Sequence, residues 1–346
     1  MFLKIRNKIE TELKTYTRNI DKAYHLSKLS PVLFNNIKEF ISRDGKRIRP
    51  ILFCIGYLGF SKRPASGLYR SAISLELLHD FMLVHDDIID KSDTRRGKPS
   101  MHALLNKYLS KSRNLKFNGE DLTIIIGDVM YALALDAFLE VRENPARKEL
   151  ALRKLISAAL YTGSGEFIEL LLGLKAIDKT SKEDIYKIYD YKTANYTFAS
   201  PLTMGAILAG ASPKEVNKLF CFGMKLGRAF QIKDDIIGTF CESADIGKSN
   251  LTDLAEARKT LLIWHAYNYC KKKDKKIIMR ILNKHNVGKN QLLKIRKILL
   301  DSGSLSFAKK EIGILLSKAK DTLKSSKMNK NCRQALINFS NKILEI

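Results

Sequence analysis

The pattern of apolar and polar residues is helical along almost the whole chain. Apolar residues recur every three or four positions, which places them on one face of an α-helix. Near the N-terminus this spacing gives a stripe that consists of Ile5, Ile9, Leu13, Tyr16 and Ile20. The polar positions around it include Glu10, Glu12 and Asp21, so the pattern favours a helix packed on the protein over one lying on a membrane.

Glycine and proline fall mainly between the helical segments and so divide the chain into successive helices. The polar stretch 107–121, which contains Asn118-Gly119, predicts a surface loop. Small residues within 199–210 predict a close approach of two helices: Ala199, Ser200, Gly205, Ala206, Ala209 and Gly210. Because the sequence has no internal repeat, low-complexity tract or strand-rich segment, it predicts one all-α domain over residues 1–346.

The composition allows a large core and a strongly basic surface. Of the 346 residues 45% are hydrophobic, and 61 Lys and Arg against 36 Asp and Glu give a formal charge of +25. Such an excess attracts nucleic acids, anionic membrane surfaces or small phosphorylated substrates. Nucleic acid is disfavoured, because the lysine-rich patch 271–276 has few aromatic neighbours and the chain lacks zinc-finger spacing or an RNA-recognition signature. Background charge on solvated faces is the alternative.

The cysteines indicate a reducing compartment. There are five, with no CxxC pair: Cys54, Cys221, Cys241, Cys270 and Cys332. Scattered thiols in odd number favour buried, reduced side chains over a disulfide framework. The sequence has no uninterrupted apolar run of about 18 to 20 residues and no secretion signal, which predicts a cytoplasmic protein without a transmembrane segment. Weak association with a membrane surface remains open.

The stretch 75–97, LELLHDFMLVHDDIIDKSDTRRG, has the densest candidate chemistry. The pattern predicts one long helix that ends near residues 95–100, where Gly97 and Pro99 force a break. On this helix Asp86 and Asp90 lie one turn apart on the same face, with Asp87 beside them. Oxygen ligands at this spacing suit Mg²⁺, which keeps several waters and is commonly completed by substrate phosphates. Arg95 and Arg96 add cations that bind phosphate oxygens. The stretch therefore predicts a metal and diphosphate site, with a solvated helix end as the alternative.

Two further stretches carry related chemistry. Residues 44–50, DGKRIRP, crowd three cations at the start of a helix, where free N–H groups also favour anions, although an exposed basic loop is the default. On another apolar helix Gln231 and Asp234 lie three apart, with Asp235 adjacent, and Lys248, Asp253 and Lys259 follow in a loop. Glu166 and Glu169 also share a helical face, where we expect them to pair with lysines.

The combination of GKRIRP, HDFMLVHDDIIDKSDTRRGKP, YKTA and FQIKDDIIG…GKSNLTDLAEARKT is similar to the trans-isoprenyl diphosphate synthases, the head-to-tail polyprenyl synthetases, and most resembles their geranylgeranyl type. The motifs cover residues 40–265, approximately, in matching order. The resemblance implies the isoprenoid synthase fold, a mostly antiparallel bundle of helices around a deep central cavity. It also implies a homodimer that uses Mg²⁺, with three ions when substrate is bound.

Carried over by matching position, the resemblance assigns three Mg²⁺ ligands, namely Asp86, Asp90 and Asp234. It assigns the allylic diphosphate to Arg95, Lys192, Thr193, Gln231 and Lys248. It assigns isopentenyl diphosphate to Lys46, Arg49, His79 and Arg96. The candidate catalytic residues are Asp86, Asp90, Arg95, Lys192, Asp234 and Lys248.

These roles fit ionisation, condensation and elimination. Metal and fixed cations stabilise the departing pyrophosphate, and an apolar cavity keeps water from the allylic cation. Product length is predicted from Phe81, which lies about 7.5 Å along the helix axis from Asp86 at about 1.5 Å per residue. Its ring is a candidate cavity floor, which Met82 shares in part, although an ordinary core position is the alternative. We expect a C20 product, then C15, then longer chains.

Several departures from the family pattern bear on the site. Gly238 stands where another carboxylate often lies, Glu166 replaces a frequent glutamine after Gly165, and the basic C-terminal tail is reduced to Lys342. A non-catalytic partner subunit and a terpene cyclase are alternatives, but the intact acids and basic clusters favour a condensing enzyme. An HD-type metallophosphohydrolase, suggested by His85-Asp86, lacks further histidines at suitable spacing.

Overall fold

The computed structural model of the chain describes residues 1–241, 258–284 and 288–345. The helices of the first half are α1 Phe2–Tyr24, α2 Leu26–Leu29, α3 Pro31–Ile41, α4 Ile48–Leu58, α5 Leu68–Ala72, α6 Ser74–Ile89, α7 Met101–Leu109, α8 Gly119–Leu139 and α9 Pro145–Leu174. A 3₁₀ turn at Ile177–Lys179 leads to α10 Lys182–Ile188, the π-helix Tyr189–Ala199, α11 Ser200–Leu208 and α12 Pro213–Phe240. The remaining helices are α13 Leu261–Tyr269, α14 Lys272–Leu282, α15 Lys289–Asp301, α16 Ser304–Lys324 and α17 Lys330–Leu344. The predicted all-α fold is confirmed.

By its internal contacts the chain forms two compact units, the first comprising Met1–Leu155 with Pro201–Ser212 and the second Ile156–Ser200 with Pro213–Ile346. In the first unit, the predicted N-terminal stripe is buried, from Ile5 to Ile20. Helices α6 and α8 pack along each other. A Cβ on Gly205 would lie 2.0 Å from the backbone oxygen of Phe53, so only glycine allows α11 to approach α4 this closely.

The second unit is built around α12, which packs against α16 and the π-helix. A Cβ on Gly227 would lie 2.3 Å from the Cα of Ala194, and one on Gly223 would lie 2.5 Å from the Cα of Ala199. These two glycines bring the backbone of α12 against the π-helix. As a result, side chains from the two helices meet at short range.

Two local predictions were wrong. The helix carrying Asp86 does not reach the arginine pair, because it ends at Ile89 and is followed by an antiparallel strand pair, β1 Thr94–Arg95 and β2 Lys98–Pro99. The turn between the strands consists of Arg96 and Gly97, both with left-handed φ, as a two-residue hairpin turn requires. The predicted loop 107–121 is shorter, because α7 continues to Leu109 and Asn118 already caps α8.

Two helices, α8 and α9, are long and apolar enough to span a membrane by length and composition alone. In the most apolar 18-residue segment of each helix, 44% of α8 and 33% of α9 is buried inside the protein. Core helices of soluble proteins meet the same criterion, so this property carries little weight by itself. All five cysteines lie in the described residues and none forms a disulfide, as predicted, but only Cys54 and Cys332 are buried and the other three are half-buried.

Candidate active site

The acids of the first motif divide into two kinds. Asp86 and Asp90 are half-buried at the end of α6, where the N–H of Asp90 donates to the backbone oxygen of Asp86 at 2.8 Å. Asp87 is fully buried, and Arg95 donates to its carboxylate from Nε at 2.7 Å and also from Nη2. Arg95 thereby ties the hairpin to α6. Asp87 is thus paired inside the protein, whereas Asp86 and Asp90 are half-buried.

The carboxylates of Asp86 and Asp90 suit Mg²⁺ bound together with waters and a diphosphate, which is the kind of site that the sequence predicts. Among the described residues no group of three or more His, Cys, Asp or Glu side chains is arranged to hold a metal ion. Mg²⁺ commonly binds to only one or two protein carboxylates, and water and phosphate oxygens complete its coordination shell. Asp86 and Asp90 supply hard oxygen donors one turn apart and therefore suit an ion that arrives with a diphosphate.

Beside these acids lies a buried network of arginine and glutamate in the first unit. Arg47 donates to Glu76 at 2.5 Å and to Glu10 at 2.9 Å, so this arginine of the GKRIRP motif has a structural role. Arg96 donates to Glu76 at 3.3 Å and lies 3.5 Å from Asp80. Its Nη1 is buried and makes no hydrogen bond among the described residues. Glu76 and Asp80 thus anchor Arg96 from one side.

The residues assigned to isopentenyl diphosphate differ in their surroundings. Lys46 is exposed, whereas Arg49 and His79 are half-buried. Burial and the charges of Arg49 and Arg96 lower the pKa of His79 well below its usual value, so this imidazole is neutral at pH 7. The structure therefore brings His79 into the field of two of the assigned cations.

Asp80 is an acid that sequence reasoning did not single out. Its side chain is fully buried, and neither carboxylate oxygen makes a hydrogen bond among the described residues. Burial raises the pKa of Asp80 to about 8, with the charge of Glu76 adding to the rise and Arg96 opposing it. Desolvation outweighs the arginine, so the protonated form predominates at neutral pH.

Phe81 lies on α6 within an aromatic cluster. Its ring centroid is 4.8 Å from that of His85 and 5.3 Å from that of Tyr131 on α8. His85 in turn lies over Gly127, where a Cβ would come 2.3 Å from the imidazole Nε2. Met82, the other predicted chain-length residue, is half-buried. Tyr131 was missed, because its partner on α6 lies fifty positions away and no spacing rule connects them.

In the second unit, Lys192 and Thr193 lie on the π-helix, an uncommon conformation that often occurs at functional sites. The hydroxyl of Thr193 donates to Gln231 at 2.6 Å, and Gln231 donates to Asp235 at 3.0 Å. The structure therefore joins two of the predicted substrate-binding residues, Thr193 and Gln231. Gln231 then bonds to Asp235, four residues further along α12, which extends this chain of hydrogen bonds.

Asp234 and Asp235 face different surroundings. Asp234 is exposed, whereas Asp235 is buried and accepts a hydrogen bond from the hydroxyl of Tyr189. The same hydroxyl accepts from the backbone N–H of Leu261 at 2.9 Å. Burial and the Asp235 carboxylate raise the pKa of Tyr189 far above its usual value, so it remains a hydrogen-bond donor. Tyr189 was also missed, since an isolated tyrosine in YDYKTA carries no signal in sequence.

Lys192 is held by two acids of α9. Its ammonium donates to Glu169 at 2.7 Å and forms an ion pair with Glu166. The expected pairing of these glutamates with lysine is confirmed, although the lysine is one of the predicted substrate-binding residues. Lys248 and Asp253 lie outside the described residues. Lys259 donates to the backbone oxygens of Leu172 and Gly173 at 2.8 and 2.9 Å, which places it at the end of α9.

Comparison with known proteins identifies the family. The sequence profile of the polyprenyl synthetase family matches residues 30–299. The chain is 31% identical over 304 residues to a geranylgeranyl diphosphate synthase of Sulfolobus acidocaldarius, covering 84% of each protein. It is 29% identical over 305 residues to a short chain isoprenyl diphosphate synthase of Methanocaldococcus jannaschii, covering 88% of this chain and 84% of the relative.

A solved structure agrees in fold over nearly the whole length. It is the geranylgeranyl pyrophosphate synthase of Corynebacterium glutamicum complexed with isoprenyl diphosphate and magnesium, with a TM-score of 0.89 at 24% identity. The alignment covers 99% of this chain and 98% of that one. Together with the paired acids and basic residues described above, these similarities show that the chain belongs to the polyprenyl synthetase family of prenyltransferases.

Proposed function

We propose that the chain condenses isopentenyl diphosphate with an allylic diphosphate in a Mg²⁺-dependent reaction and makes geranylgeranyl diphosphate. The observation that carries this proposal is that the three acids at the end of α6 differ in burial and in partners. Asp87 neutralises Arg95 internally, while Asp86 and Asp90 stay half-buried one turn apart. A few turns away, arginines surround a neutral histidine on the same helix. One helix thus offers carboxylates for a metal and donors for a phosphate.

In this proposal Asp86, Asp90 and Asp234 are the Mg²⁺ ligands. We expect three Mg²⁺ ions to bind when substrate is present. When bound, Mg²⁺ stabilises the negative charge of the pyrophosphate that leaves. Asp234 is exposed, so a metal ion can reach it from solvent. Gly238 supplies no further carboxylate on this helix, so the second motif contributes fewer acids than the first.

The allylic diphosphate is bound by Lys192, Thr193, Gln231, Arg95 and Lys248. The hydrogen bonds from Thr193 to Gln231 and from Gln231 to Asp235 fix these polar groups before substrate arrives. Arg95 has five N–H donors, so its pairing with Asp87 leaves others for phosphate oxygens. Such preorganised donors stabilise the charge that develops when the carbon–oxygen bond breaks.

Isopentenyl diphosphate is bound by Lys46, Arg49, His79 and Arg96. The unbonded Nη1 of Arg96 supports this assignment, because a buried guanidinium donor needs an acceptor. Neutral His79 donates one N–H to a phosphate oxygen without adding charge. Lys46 is exposed and contributes a mobile ammonium at the edge of the site.

The reaction follows from these positions in three steps. The C1–O bond of the allylic substrate breaks, and the electron pair leaves with pyrophosphate. The C3–C4 double bond of isopentenyl diphosphate then supplies the electrons for the new bond between its C4 and the allylic C1. Loss of a proton from C2, with pyrophosphate as the acceptor, forms the new double bond. The apolar residues of α6 and α8 keep water away from the cation.

Product length is set by Phe81 in this proposal. Its ring is fixed between His85 and Tyr131, so it resists displacement better than an isolated side chain on the helix surface. Met82, on the preceding turn from Asp86, contributes to the same floor. The C20 product is our leading expectation, with C15 and longer chains as the alternatives.

The active form is a homodimer in this proposal. Large apolar side chains are exposed on the outer face of α9, including Phe167 at 64% and Leu174 at 85%, with Leu170 and Leu171 between them. Helix α8 exposes Ile124 and Ile125. A row of exposed apolar side chains on one helix, as on α9, often marks a protein interface. Sedimentation of the purified chain tests this assignment, and we expect twice the monomer mass.

The proposed location is the cytoplasm, and cysteines that form no disulfide agree with it.

The experiment that tests the proposed function uses the purified chain alone. It is incubated with Mg²⁺, labelled isopentenyl diphosphate, and dimethylallyl, geranyl or farnesyl diphosphate in turn, and the products are separated by chromatography. We expect incorporation with each starter and a C20 end product, and loss of activity on chelation. If the chain incorporates label only when mixed with another synthase, it is a non-catalytic partner subunit instead.

A further inference from the structure

Arg43, in the turn after α3, binds the backbone of the hairpin that carries Arg96. Its Nη2 donates to the backbone oxygen of Pro99 at 2.9 Å, and its Nη1 donates to that of Arg95 at 3.4 Å. These two oxygens belong to different strands, since Pro99 lies on β2 and Arg95 on β1. One guanidinium therefore holds both strands of the hairpin.

The Arg43 side chain is itself held firmly. Only 1% of it is exposed, and its guanidinium carbon lies 4.7 Å from the ring centroid of the buried Phe40. Its Nε donates to both carboxylate oxygens of Glu39, at 2.9 and 3.2 Å. Glu39 also accepts from the ammonium of Lys98, on β2, at 3.0 Å. Because charge-assisted hydrogen bonds fix the guanidinium from several sides, it gives the hairpin a rigid attachment.

The backbone of Arg43 is connected to the side chain of Arg96 by a second route. The carbonyl oxygen of Arg43 accepts from Nη2 of Arg47 at 2.6 Å, and Nη1 of Arg47 donates to Glu76 at 2.5 Å. The same oxygen of Glu76 accepts from Nη2 of Arg96 at 3.3 Å. Arg43 thus contacts the hairpin backbone through its side chain and is linked to the Arg96 guanidinium through its carbonyl oxygen.

The hairpin is too short to fix Arg96 unaided. Each strand has two residues, and the N–H of Ser100 closes the base by donating to the backbone oxygen of Asp93 at 2.9 Å. An isolated two-stranded hairpin is only marginally stable in water. A Cβ on the turn residue Gly97 would meet no atom of the described residues within 4 Å, so the turn is open on that side. Contacts from outside the hairpin therefore decide where Arg96 lies.

We propose that Arg43 is a positioning residue for isopentenyl diphosphate, which acts by holding the hairpin so that the Arg96 guanidinium meets the diphosphate. The inference rests on the proposed function, which assigns Arg96 to this substrate. Arg95, assigned to the allylic diphosphate, has a separate anchor, because its Nε donates to Asp87 of α6. Loss of Arg43 should therefore weaken the binding of isopentenyl diphosphate more than that of the allylic substrate.

The test measures the dissociation constant of isopentenyl diphosphate by calorimetry. Mg²⁺ and a saturating thio-analogue of farnesyl diphosphate that does not ionise are present, so no reaction takes place. We expect Arg43→Met to raise the dissociation constant about ten- to a hundredfold, because a misplacement of about 1 Å in a binding group can cost this much. Arg43→Lys keeps the charge but lacks the planar fork that reaches both strands, so its value should lie between those of the wild type and Arg43→Met.

The affinity for the analogue alone separates positioning from a general structural role. Its dissociation constant should stay within about threefold of the wild type in both Arg43 variants, because Asp87 still holds Arg95. Arg70→Lys is the matched control, since Arg70 of α5 forms an ion pair with Glu12 at 2.9 Å and is 21% exposed. It should change neither dissociation constant. Thermal melting of each variant confirms that it is folded.

Hydrogen exchange gives a readout that does not depend on any ligand. Exchange in the segment 91–100, followed by mass spectrometry, should be faster in the Arg43 variants than in the wild type, because the hairpin has lost an attachment. It should be unchanged in Arg70→Lys. If Arg43→Met does not fold, Glu39→Gln replaces it, since this acid is 38% exposed and holds Arg43 from the opposite side to the hairpin.

An unchanged dissociation constant for isopentenyl diphosphate in the folded Arg43 variants would overturn the inference, as would an equal loss of affinity for both ligands or unchanged exchange in the hairpin. These outcomes leave the proposed function intact so long as the wild type incorporates isopentenyl diphosphate. A wild type that incorporates none, alone or with another synthase, would overturn the proposed function itself, and hydrogen exchange would still show whether Arg43 holds the hairpin.

Discussion

Arg95 donates to Asp87 from Nε at 2.7 Å, and this contact joins the hairpin that follows α6 back to the helix. Asp87 is fully buried and only 11% of the Arg95 side chain is exposed. Of the two adjacent acids in the first motif, Asp87 is therefore paired with Arg95, and Asp86 is the one that we propose as a metal ligand. The hairpin also carries Arg96, so its position depends on the same ion pair.

Replacing Asp87 by Asn should destabilise the protein by about 3–5 kcal/mol, because it leaves the Arg95 charge buried without its partner. Urea denaturation followed by circular dichroism measures the change. Glu149→Gln breaks an exposed ion pair on α9 and should cost at most about 1 kcal/mol. Equal denaturation midpoints for the two variants would show that the Asp87 contact has no such role.

Asp80 should make stability depend on pH. Its folded pKa of about 8 lies above the ordinary 3.8 of an aspartate, so the folded protein binds the proton more tightly than the unfolded chain. The contribution of Asp80 to stability is therefore complete below about pH 4 and is lost as the pH rises through 8. Asp80→Asn cannot ionise and should lack this loss.

Urea denaturation of the wild type and Asp80→Asn between pH 5.5 and 9 measures the effect. We expect the wild type to lose stability relative to the variant by up to about 1.4 kcal/mol per pH unit, with the difference levelling off above pH 8. A difference between the two proteins that does not change with pH would show that Asp80 titrates normally.

Sequence alone predicted the helices and the one-turn spacing of Asp86 and Asp90, because both depend on spacings within one helix. The N-terminal stripe and the position of Asp86 and Asp90 follow from 3.6 residues per turn. The hairpin at Arg96 was missed, since the helix pattern was extended through residues that need left-handed backbone. The partners of Arg95 and Lys192 depend on tertiary contacts that no local pattern records.

The second motif shows the same limit. Gln231 and Asp234 were placed together because they lie three residues apart, yet Gln231 bonds to Asp235. The choice is made by Tyr189, whose hydroxyl lies against Asp235 and turns that acid inward. Sequence spacing allowed both arrangements, and burial of the tyrosine decided between them.

Asp234 and Asp235 should therefore respond differently to substitution. Asp234→Asn should reduce kcat by at least about a hundredfold at saturating Mg²⁺, because it removes a proposed metal ligand at an exposed position. Asp235→Asn should lower the midpoint, because the acceptor for Tyr189 and Gln231 loses its charge.

Calorimetry and initial rates measured over a range of Mg²⁺ concentrations check this pair. In Asp235→Asn the Mg²⁺ concentration for half-maximal rate should match the wild type, while in Asp234→Asn it should rise. The assignment fails if the two variants exchange these properties. Tyr189→Phe is a further comparison, since it removes the hydroxyl from Asp235 and should resemble Asp235→Asn in stability.

The aromatic pair of Phe81 and Tyr131 should control product length. Phe81→Ala removes the ring that we propose as the cavity floor and should shift the end product to longer chains than that of the wild type, because it leaves space of about the size of the lost ring. Tyr131→Ala removes the ring on which Phe81 rests, 5.3 Å away, and should broaden the distribution toward longer chains by a smaller amount. Tyr108→Ala, at an exposed position of α7, should leave the distribution unchanged.

Chromatography of the products that each variant makes from farnesyl diphosphate measures the distribution of chain lengths. An unchanged distribution in Phe81→Ala would place the floor elsewhere, and a longer product from Tyr131→Ala than from Phe81→Ala would give the leading part to the tyrosine.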